Sequence, residues 1–249
     1  MISDLQFCLI AAVAVTCLGL SKGGFIGFGL VATPLLALAI PPLQAAAILL
    51  PVMLTQDVFS AWSFRSDCDR PILSLVLPGA IFGIALAWLL ARYLDQASVR
   101  LAVGAIGVAF VASHWIGLQF KPQGGASGVF WGTVAGFTGT LANAGGPPFL
   151  VYAMSQGLPK MTFLGTMAVF FLVLNAAKLV PFFALGQFSH ESLTTSIVLL
   201  PVAIAANLVA IRLVRRIPSS AFYTMSHAMV LLVSTALIWQ GVAQHGARP

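Results

Sequence analysis

Two hydrophobic stretches of this chain are too long for one membrane crossing, and each is broken by glycine at a corresponding place. The first covers about residues 5–40 and contains Gly19-Leu20-Ser21-Lys22-Gly23-Gly24-Phe25-Ile26-Gly27-Phe28-Gly29. The second covers about residues 126–157 and contains Gly136-Phe137-Thr138-Gly139-Thr140-Leu141-Ala142-Asn143-Ala144-Gly145-Gly146-Pro147-Pro148. A continuous helix over the first stretch would be about 54 Å long, against a hydrocarbon core of about 30 Å. A broken helix leaves N–H and C=O groups that lipid cannot satisfy, so breaks sit where protein or a solute cavity satisfies them. Paired breaks in the two halves of a chain point to the binding site of a carrier.

Only 7% of the residues are charged and 59% are hydrophobic. Soluble domains carry about 25% charged residues, so this chain is read as an integral membrane protein. The 249 residues hold about eight segments of about 20 residues, with no room for a separate soluble domain. After the first broken segment the reading gives segments at about 43–64, 72–93 and 98–116. After the second it gives about 160–185, 191–213 and 220–241. Punctuation comes from Pro41-Pro42, the run Arg65 to Pro71, Asp95, Lys121-Pro122-Gln123-Gly124-Gly125, Pro159-Lys160, His190-Glu191 and Arg215-Arg216-Ile217-Pro218. The runs are long and lack period-two alternation, so the fold class is all-α and polytopic, not a barrel.

Segments 1–4 match segments 5–8 in order and length. Residues 1–120 are therefore read as one transmembrane repeat and 121–249 as a second. Asp57 falls opposite Asn175 at an offset of 118. If segments 1 and 5 re-enter as hairpins, each half crosses three times and the second half is inverted. One side then holds Arg65, Arg70, Lys121, Lys160, Arg212, Arg215 and Arg216, and the other Arg92, Arg100 and Arg248: seven against three. Full crossing gives six against four. The re-entrant arrangement gives the stronger positive-inside bias, with both termini outside the cytoplasm. The net charge of +6 is thus loop charge on a membrane protein, and no nucleic-acid partner is expected.

Few polar groups fall at membrane depth. They are Lys22 with Ser21, Gly23 and Gly24; Gln56 and Asp57; Thr140, Asn143, Gly145 and Gly146; Asn175 and Lys178; Asn207; and His227. A charge at the bilayer centre costs about 3 kcal/mol or more, so such residues line cavities or pair internally. Two buried lysines beside half-helix N-termini with open N–H donors make an anion site. Ser21, Thr140 and Asn143 add neutral hydrogen bonds, and the glycines let backbone approach the ligand. The competing reading is structural: a lysine snorkels or pairs with Asp57. For Lys178 a pair with Asp57 is as well supported as an anion site. Asp57 is either a coupling group for protons or a fixed counter-ion, and the counter-ion is preferred. Asn207 is read as a bridge between helices, and His227 as a satisfied interior side chain.

Pro34, Pro51, Pro78, Pro147, Pro148, Pro181 and Pro201 punctuate the spans. Trp62, Trp88, Trp115, Trp131 and Trp239 fall near span ends and read as interfacial anchors. Cys8 and Cys17 are about 13 Å apart on one helix and do not bridge, and no metal spacing appears. The N-terminus lacks a basic n-region, so residues from 5 onward are expected to be a retained span. No catalytic constellation or cofactor motif is present, so neither an enzyme nor a cofactor is expected.

Two four-segment halves, opening on breaks such as Gly23-Gly24-Phe25-Ile26-Gly27-Phe28-Gly29 and Gly145-Gly146-Pro147-Pro148, resemble the toluene-sulfonate uptake permease family, also called the TauE/SafE sulfite-exporter family. The resemblance implies a secondary transporter of an organosulfonate such as toluene sulfonate, or of sulfite or sulfoacetate, in the bacterial inner membrane. It implies alternating access, with the head group held between the two breaks. A sulfonate's three oxygens match N–H donors and lysine charge. The chain departs from the common glycine triplet at Ala144-Gly145-Gly146-Pro147 and carries Lys22 inside the first break. Partners expected are a small anion, membrane lipid and a coupling proton or cation; a homodimer is compatible. An anion channel and a structural membrane protein stand as the alternatives.

Overall fold

The computed structural model describes residues 5–25, 28–90, 93, 95–117, 124–184 and 186–246. Ile26 and Gly27 of the first break, and Arg92, Lys121 to Gln123, and Arg248, lie outside the described residues. Every regular element described is an α-helix. In order these are α1 (Leu5–Lys22), α2 (Gly29–Leu36), α3 (Pro42–Ser63), α4 (Arg70–Leu90), α5 (Gln96–Trp115), α6 (Gly125–Leu141), α7 (Gly146–Ser155), α8 (Lys160–Ala184), α9 (His190–Arg216) and α10 (Ser219–Gly246). Seven of them, α1, α3, α4, α5, α8, α9 and α10, are long and apolar enough to cross a membrane, so the chain is a multi-pass membrane protein. The other three are parts of the two broken segments.

Polar punctuation becomes helix caps. The Asp69 carboxylate accepts from Ile72 N–H, Asp95 from Ala97 and Ser98, and the Ser189 hydroxyl from Ser192. Each satisfies N–H groups that a helix start leaves open.

The chain forms two compact units: Met1–Cys68 with Met167–Pro218, and Asp69–Thr166 with Ser219–Pro249. Each draws on both sequence halves, and α8 contributes to both.

In the first unit α1, α3 and α9 run parallel. Gln56 of α3 donates to Val15 O of α1 at 3.3 Å, and Ser60, one turn on, donates to Lys22 O at 2.8 Å. Along α9, Ser196 reaches Ile48 O, Asn207 reaches Gln56 O and Arg215 reaches Ser63 O. Partners rise in number together, which only parallel helices allow. Because α1 and α3 point the same way, the chain between them must return, and α2 does so. Ala32 and Leu36 of α2 join Phe7, Ala11, Ala14, Val15 and Leu18 of α1 in one apolar core. Segment 1 is therefore a helical hairpin.

In the second unit α4 and α6 are parallel and in backbone contact. A methyl group on Gly132 would sit 2.2 Å from Val76 O, and one on Gly136 2.1 Å from Ala80 O. Reciprocally, methyls on Gly79 and Gly83 would meet Val129 O and Thr133 O at 2.2 and 2.1 Å. Glycine at four-residue spacing on both helices is how membrane helices approach this closely. α7 then turns back: a methyl on Gly128, in the first turn of α6, would lie 2.9 Å from Tyr152 Oη near the end of α7.

α5 and α10 are antiparallel, with Gly104 and Gly107 against Ser234 and Gly241 against Leu101. The end of α5, the end of α7 and the start of α10 surround a cavity of about 420 Å³ lined by His114, Met154, Leu158, Tyr223 and His227, among others. Segment 5 thus starts just after α5 and finishes beside the end of α5, so it too doubles back as a hairpin.

Of the five tryptophans read as anchors, Trp62, Trp88, Trp115 and Trp239 are exposed, whereas Trp131 is only 8% exposed. The anchor reading does not fit Trp131, which is buried inside the protein.

Candidate functional site

The polar residues of segments 1, 2, 6 and 7 meet inside the first unit. Lys22 is the last residue of α1. Its ammonium lies 2.8 Å from Asp57 Oδ1 and 4.7 Å from the centroid of the Phe171 ring. Asp57 is 1% exposed, and its second oxygen accepts from Asn175 Nδ2 at 2.6 Å. Both oxygens are engaged, as a fixed counter-ion requires. Of the pairings the sequence left open, Lys22 takes Asp57.

Lys178 lies on the same face of α8 as Asn175, three residues on. It is 5% exposed and close enough to Lys22 and Asp57 to interact electrostatically with both. Among the described residues it has no carboxylate or hydrogen-bond partner. Within the helices of this unit the remaining charges, Glu191, Arg212, Arg215 and Arg216, are exposed. The interior therefore holds two lysines against one aspartate.

Around this triad runs a neutral network. Gln56 Nε2 donates to Val15 O at 3.3 Å and Ala203 O at 3.0 Å, while its Oε1 is buried without a partner among the described residues. Asn207 donates to Gln56 O at 2.8 Å and exchanges hydrogen bonds with the Ser60 hydroxyl. Asn207 is thus the helix bridge that was expected. Ser60 was missed, although it follows Gln56 by four residues and so shares its face of α3. Gln56 and Asn207 spend their amides on tying α1, α3 and α9 together, which fixes the backbone from which Lys22 and Asp57 project.

Gly23 and Gly24 shape the backbone just beyond Lys22. A methyl on Gly23 would lie 2.3 Å from Ala210 Cβ, so Gly23 is a packing contact with α9. Gly24 has φ +124°, a conformation that glycine adopts without strain. Ser21 lies against Gly29, at 2.9 Å from a methyl placed there, inside the hairpin turn.

Thr140, Asn143, Gly145 and Gly146 lie in the second unit, at the turn between α6 and α7. The turn is held by Thr138, whose hydroxyl donates to Val134 O at 2.7 Å and Ala144 O at 3.2 Å. Asn143 sits at φ +53°, the left-handed region that asparagine tolerates best after glycine. Thr140 donates to Gly136 O, and a methyl on Gly145 would press on Ala135 O at 2.6 Å. Gly146 alone has open space around it. One expectation needs correcting. α7 begins Gly146-Pro147-Pro148, and proline has no N–H. This half-helix start therefore lacks two of the donors expected of it, and Phe149 N–H is spent on Gly145 O at 3.4 Å.

His227 stacks on His114, ring centroids 4.1 Å apart, and its Nδ1 lies 2.8 Å from Tyr223 O. It is a satisfied side chain at the wall of the second unit's cavity, as read from the sequence.

Comparison with curated proteins and with solved structures finds no match. A family model described as Sulfite exporter TauE/SafE matches residues 9–237, nearly the whole chain.

Proposed function

Because the chain belongs to the Sulfite exporter TauE/SafE family, a family of membrane transporters, we propose that it is a secondary transporter of a sulfur-containing organic anion such as toluene sulfonate. The observation that carries this reading is the charge imbalance of the first unit. A buried cluster with two lysines and one aspartate leaves a positive charge at a depth where lipid cannot compensate it. A bound oxyanion compensates it, and its oxygens accept from the lysine ammonium groups. Lys178 and Lys22 supply charge, Asp57 holds Lys22 in place, and Asn175 holds Asp57. Ser21, Gly23, Gly24 and Gln56, chain neighbours of Lys22 and Asp57, are proposed as substrate-binding residues of the first unit, and Thr140, Asn143, Gly145 and Gly146 as substrate-binding residues of the second.

The halves are proposed to be inverted repeats, residues 1–120 and 121–249. Supporting this, each broken segment packs in parallel on the third segment of the other half, α1 on α9 and α6 on α4. The site opens alternately to the two faces of the bacterial inner membrane, with a proton or cation as the coupling ion.

A second reading, export of sulfite itself, is favoured by the family's description as sulfite exporters. Uptake of labelled toluene sulfonate into proteoliposomes, with sulfite, sulfate and taurine as competitors, tests both. Saturable uptake supports an organosulfonate carrier, and competition by sulfite alone moves the assignment to inorganic sulfur oxyanions. An ohmic current points to a channel, and no flux from folded protein removes the transport reading.

A further inference from the structure

We propose that the cluster selects its substrate by charge, taking monoanions and rejecting dianions, with Lys178 as the residue that sets the preference. This rests on the transport reading above and deepens it. Lys22 is neutralised by Asp57 at 2.8 Å, and Asp57 is held from its other side by Asn175 at 2.6 Å. That pair is internally complete. Lys178 is left with no partner among the described residues and is 5% exposed. With both ammoniums protonated the interior carries one net positive charge, because the unit's other helix charges lie at exposed positions.

A sulfonate, with one negative charge spread over three oxygens, brings the site to neutrality. A dianion leaves one negative charge uncompensated at membrane depth, and a zwitterion leaves one positive. An unpaired charge in low dielectric costs more than any single neutral hydrogen bond returns. Charge, more than the shape of the head group, therefore decides entry. Toluene sulfonate and methanesulfonate carry the same charge as each other, and sulfate differs from them in charge while keeping similar oxygens.

The test is counterflow of labelled methanesulfonate in proteoliposomes near neutral pH, with unlabelled methanesulfonate and sulfate as competitors. The wild-type protein needs no substitution for the first arm: methanesulfonate should compete at least about tenfold better than sulfate, a difference of about 1.4 kcal/mol. Asp57→Asn raises the net charge by one and should shift the sulfate-to-methanesulfonate ratio toward sulfate by about tenfold or more. Lys178→Gln removes the net charge and should lower methanesulfonate counterflow by at least about tenfold. Equal competition by the two anions in the wild type, or a ratio unmoved in folded Asp57→Asn protein, overturns charge selection while leaving transport standing. Absence of flux for every anion in the wild type overturns the transport reading and this inference together.

Discussion

Asn175 donates a 2.6 Å hydrogen bond to Asp57, and the two residues are 118 positions apart in the chain. The helices that carry them start at Pro42 and Lys160, the same distance apart. Asn175 therefore occupies in α8 the place that Asp57 occupies in α3. Under the proposal that the two halves are inverted repeats, these equivalent positions meet at the axis relating the halves, and the Lys22–Asp57–Lys178 cluster beside them is the proposed solute site.

Replacing Asn175 with leucine leaves one oxygen of a buried carboxylate without a donor. The expected cost is about 1–3 kcal/mol, read as a lower melting temperature in detergent. Asn175→Asp should cost more, since it sets two carboxylates within hydrogen-bond distance. A melting temperature unchanged in both variants would mean that Asp57 does not depend on Asn175.

Lys22 and Asp57 should be energetically coupled. Removing one partner of a buried pair costs about 3–5 kcal/mol, largely because the other charge is stranded. Lys22→Met is therefore expected to be strongly destabilising, and Lys22→Met with Asp57→Leu to be less so than Lys22→Met alone. Unfolding of the two singles and the double gives the cycle; strictly additive costs would deny the pair.

The glycines divide into two kinds. Gly136→Val forces a side chain into Ala80 O, 2.1 Å from the first added carbon, and backbone cannot yield as a flexible side chain can. Overpacking costs about 1–3 kcal/mol and more when backbone must separate. Gly146→Ala, which meets nothing within 4 Å, should stay within about 0.5 kcal/mol of the parent. Equal melting temperatures for the two would refute the close α4–α6 contact.

On the proposed topology, two re-entrant hairpins leave three crossings in each half, and both ends of the chain face the same side. In a cysteine-free background, single cysteines at Gln6 and Gln244 should label from outside the cytoplasm, and one at Ser66 from within, following the positive-inside bias. Labelling of Gln6 and Ser66 from one side would contradict the hairpin formed by α1 and α2.

Much of the architecture was legible because membrane segments are written in hydrophobicity. The eight segments and both breaks fall close to where the helices end, and Asp57 and Asn175 were aligned by offset alone. The partner of Asp57 was not legible, because both lysines lie on segments whose rotation depends on packing. For α1 that rotation is set by Gly19 and Gly23 against Ala206 and Ala210 of α9, residues far apart in the chain. Trp131 was misread for a related reason: proximity to a segment end does not say whether a side chain faces outward or is buried. The proline pair opening α7 was visible throughout, and its missing N–H groups should have limited the donors assigned to that end.

The most direct test of the anion site is counterflow of labelled toluene sulfonate through wild-type and Lys178→Gln proteoliposomes, with melting temperature and gel filtration confirming that both are folded. The account predicts saturable flux in the wild type and at least about a tenfold loss in the variant. Undiminished flux through folded Lys178→Gln protein would contradict it.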